Sequence, residues 1–215
     1  SQMKIISTNV AKPVNIRWNG KDVTTGIYKT PLNQPIYLAK NEVLNDEISD
    51  RKNHGGYYKA CYLFSAEQYP YWKELYPNLD WSWGMFGENL ALSNFDERSV
   101  FLGEIYKIGE AVVQVSQSRE PCYKLAYKFG TPQIVKQFIE RGFSGTYLSI
   151  IEEGYVAIND EFSLIERPES TLSVFDLFNL LFAKTKNREH LKIAVESKAI
   201  SKNKRIQLSK YLNKL

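Results

Sequence analysis

The chain is poor in the residues from which most reactive and metal-bound sites are built. Its 215 residues include two cysteines and two histidines. Cys61 and Cys122 do not make a disulfide framework, and Cys61 lies inside the apolar run from Ala60 to Phe64. A reduced, cytoplasmic setting is therefore expected. No cysteine cluster suits an iron–sulfur centre, and no G-x-G-x-x-G follows a strand-like run, so the sequence provides for neither iron–sulfur nor dinucleotide cofactors. No apolar run reaches the roughly 20 residues that a membrane-spanning helix needs. No secretory signal is visible at the start, so no membrane association is expected. There is no internal repeat and no low-complexity segment.

The length suits one moderate domain with a small appendage. A chain of this size can bury a good core without a structural metal. Short β-rich runs alternate with glycine punctuation: Ile36 to Ala39, Lys59 to Phe64, Val100 to Leu102, Glu104 to Ile108, Ala111 to Ser116, Tyr147 to Ile151 and Glu161 to Ile165. Many short strands with glycine turns favour a barrel or sandwich over a doubly wound sheet. Two helices decorate this core. One lies within Ser65 to Tyr76, with Ser65 and Gln68 as a capping box and Pro70 as a kink or restart. The other starts at Thr131-Pro132, carries Ile134, Val135, Phe138 and Ile139 at helical spacing, and stops at Gly142.

Near Arg167-Pro168 the pattern turns wholly helical, with caps expected at Ser173, Asn187 and Ser201. The division expected is therefore 1–167 and 168–215. About 45 residues in three short helices are few for an independent core, so they should pack on the β domain or on a second subunit, which leaves a homodimer open. The net charge is +4, and the cations crowd into this tail, among them Lys202, Lys204 and Arg205. Such a face can attract nucleic acid or an acidic protein. The reading preferred here is a solvated face that plays no part in the site.

The most informative segment is Ser116-Gln117-Ser118-Arg119-Glu120-Pro121-Cys122-Tyr123-Lys124. It sets one cysteine after a proline and between two cations. Nearby positive charge favours the thiolate, which is the nucleophilic and metal-ligating form. Pro121 stiffens the turn that carries it. An inert cysteine at a strand end would suit the same segment, and these residues alone leave both readings open.

Three further segments accompany it: His54-Gly55-Gly56, Phe86-Gly87-Glu88-Asn89-Leu90, and the run Ile108 to Gln117 that leads into the cysteine. In this order and at these separations they resemble the MOSC domain, the fold of the C-terminal part of molybdenum-cofactor sulfurases, and within it the YiiM-like branch. The chain departs from that pattern at Tyr57 and Tyr58, which stand where a proline and an acid are usual, and at Ser118, where a proline is usual. The acidic-glycine stretch upstream of His54 is eroded to Leu44–Asp50.

The resemblance implies a mainly β fold with helices (α+β): a MOSC-type β-barrel core, plus a C-terminal three-helix module. It implies molybdenum cofactor as the bound group, with Cys122 as ligand to the metal. Pyridoxal phosphate is not expected. Arg119 offers a planar fork for phosphate or pterin oxygen, and Lys59 and Lys124 are further cations. Gly55 and Gly56 would bring backbone N–H groups close to an anion. His54 would bond the cofactor or move a proton, and Asn89 would read a pterin edge.

The activity implied is reduction of small N-hydroxylated compounds of the hydroxylaminopurine kind, a detoxifying reaction, with electrons from a separate reductase. Two alternatives stand beside it. One is a sulfur-transfer or cofactor-carrier protein using a Cys122 persulfide. The other is a nucleic-acid-binding module using the basic tail, the less favoured of the two.

Overall fold

The computed structural model describes residues 2–11, 14–46, 56–169 and 171–214. Eight strands make the main sheet: β1 (Lys4–Val10), β4 (Thr30–Pro31), β6 (Cys61–Ser65), β7 (Leu90–Ser93), β8 (Ile105–Ile108), β9 (Ala111–Ser118), β10 (Thr146–Glu152) and β12 (Phe162–Glu166). Their order is β12-β8-β9-β10-β6-β7-β1-β4. Two small antiparallel pairs lie apart from it: the hairpin β2 (Val14–Trp18) with β3 (Lys21–Thr25), and β5 (Ile36–Leu38) with the distant β11 (Gly154–Val156).

The sheet is rolled rather than closed. Lys4 of β1 bridges Glu161, just ahead of β12, and Phe162 N–H donates to the Met3 carbonyl at 2.8 Å. The seventh strand thus touches the approach to the first through an isolated bridge, with no ladder between them. The barrel expected from the resemblance is corrected to this curled eight-stranded sheet. The mixed β-and-α class stands.

Side-chain alternation along the central strands explains why the sheet has two cores. Leu63 of β6, Val113 and Val115 of β9, and Leu148 and Ile150 of β10 face inward with Ile5, Leu90 and Leu92. Tyr62, Phe64 and Tyr147 point the other way, against α1 (Tyr69–Leu75), α2 (Tyr123–Phe129) and α3 (Gln133–Arg141). This second core is aromatic. Phe64 stacks on Phe86 at 4.4 Å, and Trp72 and Phe138 close around them. A core strand with both faces covered is buried at every position, as β6 is.

The helix signals resolve in detail. Ser65 accepts from Glu67 N–H and caps a single 3₁₀ turn, after which Pro70 restarts the chain as α1. α3 begins at Gln133, with Pro132 as its N-cap and the Thr131 hydroxyl accepting from Gln133 N–H. The C-terminal helices are α4 (Val174–Phe182), α5 (Arg188–Glu196) and α6 (Lys202–Leu212). Ser173, Asn187 and Ser201 cap them, each accepting a backbone N–H.

These helices share a third core of Leu177, Leu180, Leu191, Ala194 and Leu208 with Leu102 of the β domain. Val174 reaches the inner core and Phe178 the aromatic one, so α4 joins all three. The expected strand at Val100 to Leu102 is absent. Its backbone makes one bridge, Phe101 with Ser173, and Val100 and Leu102 bury as a docking edge for α4.

Candidate functional site

The chain leaves β9 at Ser118, passes through Arg119, Glu120 and Pro121, and enters α2 with Cys122 as its N-cap. Cys122 has extended backbone angles and no side-chain cap bond, and it is half-buried. Its sulfur therefore lies at the start of a helix, where partial positive charge gathers.

Arg119 is 4% exposed. Nη1 donates to the Phe86 carbonyl, and the guanidinium carbon lies 4.9 Å from the centre of the Tyr62 ring. Nε is buried with no hydrogen-bond partner among the described residues, and no carboxylate forms an ion pair with this side chain there. Burial opposes its charge, whereas the Tyr62 and Tyr147 phenols and the Cys122 sulfur favour it, and its pKa is moved upward. A buried cation with an idle donor and no counter-ion is a place for an anion.

Other cations lie on the elements around it. Lys59 Nζ lies 5.7 Å from the Tyr147 ring centre, and Tyr147 is within electrostatic reach of Arg119, Cys122 and Glu120. Lys124 is buried, with no hydrogen bond or ion pair to its ammonium among the described residues. Lys128, one turn on, donates to the carbonyls of Ile27 and Gly84, both at 3.3 Å. Burial lowers its pKa, as do Lys29 and Arg119, while Glu88 works against them. Lys128 was not singled out in the sequence. Its signal was the spacing of Leu125, Ala126 and Phe129 before Gly130, which marks α2 as a helix with Lys124 and Lys128 on one face.

The Phe-Gly-Glu-Asn-Leu segment is the scaffold beside this cluster. Glu88 is fully buried, and it accepts from Tyr69 O–H and from Phe86 N–H. Burial pushes its pKa up. Gly87 has φ +84°, and a Cβ there would meet Ile27 Cγ1 at 3.3 Å. Only glycine turns the chain here without strain, and that turn hands the Phe86 carbonyl to Arg119.

Asn89 accepts from Tyr62 N–H at 3.0 Å and donates to the Asn9 carbonyl at 3.2 Å and to Asp46 at 2.7 Å. Both its amide protons are engaged within the protein. Asp46 also accepts from Ala11 N–H and pairs with Lys29 at 2.9 Å. The acidic stretch thus contains a carboxylate, Asp46, that ties three segments together, a role the sequence did not reveal.

Gly56 has φ +80°, and its N–H donates to the Asn41 carbonyl at 3.0 Å. The free donor expected of it is therefore engaged, and what the glycine supplies is the turn. His54 and Gly55 lie outside the described residues.

The rolled sheet thus sets a half-buried thiol within electrostatic reach of a buried arginine that has no carboxylate partner among the described residues. The sequence model of the MOSC domain matches residues 50–163. Protein YflK of Bacillus subtilis (strain 168) is 34% identical over 211 residues, which are 98% of this chain and 95% of that one. The crystal structure of YiiM from Geobacillus stearothermophilus superposes with a TM-score of 0.80 at 34% identity, covering 97% of this chain and 98% of that one. A protein named "Reductase" from Gibberella moniliformis (strain M3125 / FGSC 7600) is 33% identical over 168 residues, 77% of this chain but 30% of that protein. The chain belongs to the MOSC domain family, and its likeness runs to the YiiM proteins of that family.

Proposed function

We propose that the protein binds molybdenum cofactor and reduces N-hydroxylated compounds, drawing electrons from a separate reductase. The observation that carries this is Arg119, a buried guanidinium whose Nε has no hydrogen-bond partner and which has no carboxylate partner among the described residues, three residues before the half-buried Cys122. The donor set fits the group: a thiol for a soft metal, and cations for phosphate and pterin oxygens. The name of the Gibberella moniliformis relative agrees with a reductive reaction.

Cys122 supplies the protein ligand. Arg119 holds an anionic oxygen through Nε, and Lys124 and Lys59 add charge at longer reach. Asn89 and Gly56 act as framework, latching strands and turning the chain. His54 and Gly55 complete the cofactor-binding set, with His54 as the proton carrier. When bound, the cofactor supplies the two-electron reduction that removes oxygen from the substrate. The chain's own part is to keep one ligand and several cations in a fixed, partly desolvated arrangement.

Two cations of the basic tail are engaged inside the protein. Lys186 Nζ donates to three backbone carbonyls, and Lys204 pairs with Glu120. This weakens the nucleic-acid alternative. Molybdenum and pterin content, measured on protein made in a host that synthesises the cofactor, tests binding. Turnover of a hydroxylamine-type substrate with a reductase then separates a reductase from a sulfur or cofactor carrier. Absence of both metal and pterin, beside a loaded control enzyme from the same host, overturns the proposal.

A further inference from the structure

The segment that carries Arg119 is gripped from the side opposite the site. The Ser118 hydroxyl donates to the Val174 carbonyl at 3.0 Å, at the first residue of α4. Glu120 accepts from Lys204 Nζ at 2.7 Å, in the first turn of α6. Arg119, between them, turns toward Tyr62 and Phe86. This is the alternation of an extended run: residues 118 and 120 on one side, 119 on the other. Both outward partners belong to the C-terminal helices, which share one core.

Lys204 is only 16% exposed, so its pair with Glu120 is less screened than a surface pair. It also sits at the positive end of α6, whose first turn holds no acid. Repulsion from that helix end makes the Glu120 carboxylate the natural partner of the lysine. Beyond Glu120, Pro121 has a fixed φ, so a shift of Glu120 passes to Cys122. The Ser118 hydroxyl is what reaches α4.

We propose that the C-terminal helices clamp the site, with Ser118, Glu120 and Lys204 as positioning residues that hold Arg119 and Cys122 in register. Docking of these helices and retention of the ligand are then coupled. This replaces the expectation that the tail's cations are solvated and play no part in the site. It rests on the reading of Arg119 and Cys122 as the pair that holds the cofactor.

The test uses the full chain with Lys204→Met, Glu120→Gln, the double variant, and the swapped pair Lys204→Glu with Glu120→Lys. Amide exchange at residues 119–123 and molybdenum per chain are read together with the melting temperature. Each single variant should speed exchange at 119–123 by tenfold or more and lower molybdenum several-fold, with melting shifted by only a few degrees. The double variant should be no worse than either single one, and the swapped pair should recover both readouts. Unchanged exchange in the single variants overturns the clamp, and so does a swapped pair that recovers neither readout. If the exchange pattern holds while even the unaltered protein carries no molybdenum, the clamp stands and the cofactor reading fails. If molybdenum falls in the variants without any change in exchange, the clamp fails and the cofactor reading stands.

Discussion

The side-chain amide of Asn89 donates to Asp46 at 2.7 Å, and both residues are buried. This contact joins the start of β7 to a loop more than forty positions earlier in the chain. Through Asp46 it also reaches Lys29 and the backbone of Ala11. The family motif around Asn89 therefore has a structural basis before any ligand is considered.

Asn89→Asp tests that basis with almost no change of shape. It turns a donor into an acceptor and sets a second carboxylate against Asp46 in a site shielded from water. Breaking a buried charge arrangement costs roughly 3–5 kcal/mol. Asn89→Asp should therefore lose at least about 3 kcal/mol in urea unfolding near neutral pH, and recover part of it in acid. A loss below about 1 kcal/mol would show that the latch does not hold the strands.

Glu97 gives the fold a pH dependence of unusual sign. It is fully buried, Oε2 accepts from Gly145 N–H at 3.0 Å, and Oε1 has no partner among the described residues. Burial is the main cause that pushes its pKa up to about 7. The unfolded carboxyl releases its proton near its ordinary value, while the folded one keeps it. Between about pH 4.5 and 7 the folded state binds the extra proton, so stability falls as pH rises and then levels off. The full effect is roughly 3 kcal/mol. Glu97→Gln should flatten that slope in urea titrations across this window, whereas a parallel slope in the variant would assign it to another group.

Lys186 ends α4 by a side chain rather than by glycine. Its Nζ donates to the carbonyls of Leu181 at 3.2 Å and Ala183 at 3.0 Å, as well as to that of Leu180. Unsatisfied carbonyls at a helix end are costly, and bonds from a charged donor are worth roughly 1.5–3 kcal/mol. Lys186→Met should therefore lower stability by about 2 kcal/mol, measured by urea unfolding, despite keeping the apolar stem. A neutral result would mean that water satisfies these carbonyls equally well.

Local signals were legible wherever short-range chemistry decides the outcome. Ser173, Asn187 and Ser201 cap their helices as expected, because an N-cap needs only its own side chain and the next turn. The strands at Ala111 and Tyr147 were readable from their β-branched, aromatic and apolar content. β1 was not, since Ser7, Thr8 and Asn9 are polar residues whose burial depends on distant partners such as Asn89 and Gln34. The cysteine segment stood out in sequence, and Arg119 with it. Asp46, Lys128 and the Lys204 pair did not, because their importance lies in contacts across 17 to 101 positions of chain.

The two cysteines should separate site from core. Cys122→Ser places a hydroxyl at a helix N-cap whose side chain makes no capping bond, so stability should hold or rise by up to about 1 kcal/mol. Molybdenum content should fall sharply, since a hydroxyl is a poor ligand for a soft metal. Cys61 is 1% exposed in the inner core, and burial drives its thiol pKa well up. A hydroxyl there costs roughly 1–3 kcal/mol, with molybdenum per folded chain unchanged. If Cys61→Ser is instead the variant that loses metal, the site has been misassigned.

Arg119 offers the sharpest contrast between stability and binding. Its charge is buried without a carboxylate partner among the described residues, and desolvation is opposed by the Phe86 carbonyl, the Tyr62 and Tyr147 phenols and the Cys122 sulfur. Arg119→Met removes that desolvation cost and keeps much of the side-chain volume, but it leaves the carbonyl without a donor. The orphaned carbonyl costs roughly 1–3 kcal/mol, and relief of the buried, unpaired charge offsets it. Melting temperature should therefore stay level or rise, while cofactor content falls by tenfold or more. Arg119→Lys keeps the charge without the planar fork and should give intermediate cofactor content. A large drop in melting temperature for Arg119→Met would mean that the guanidinium is there for the fold, and the anion site would have to be sought elsewhere.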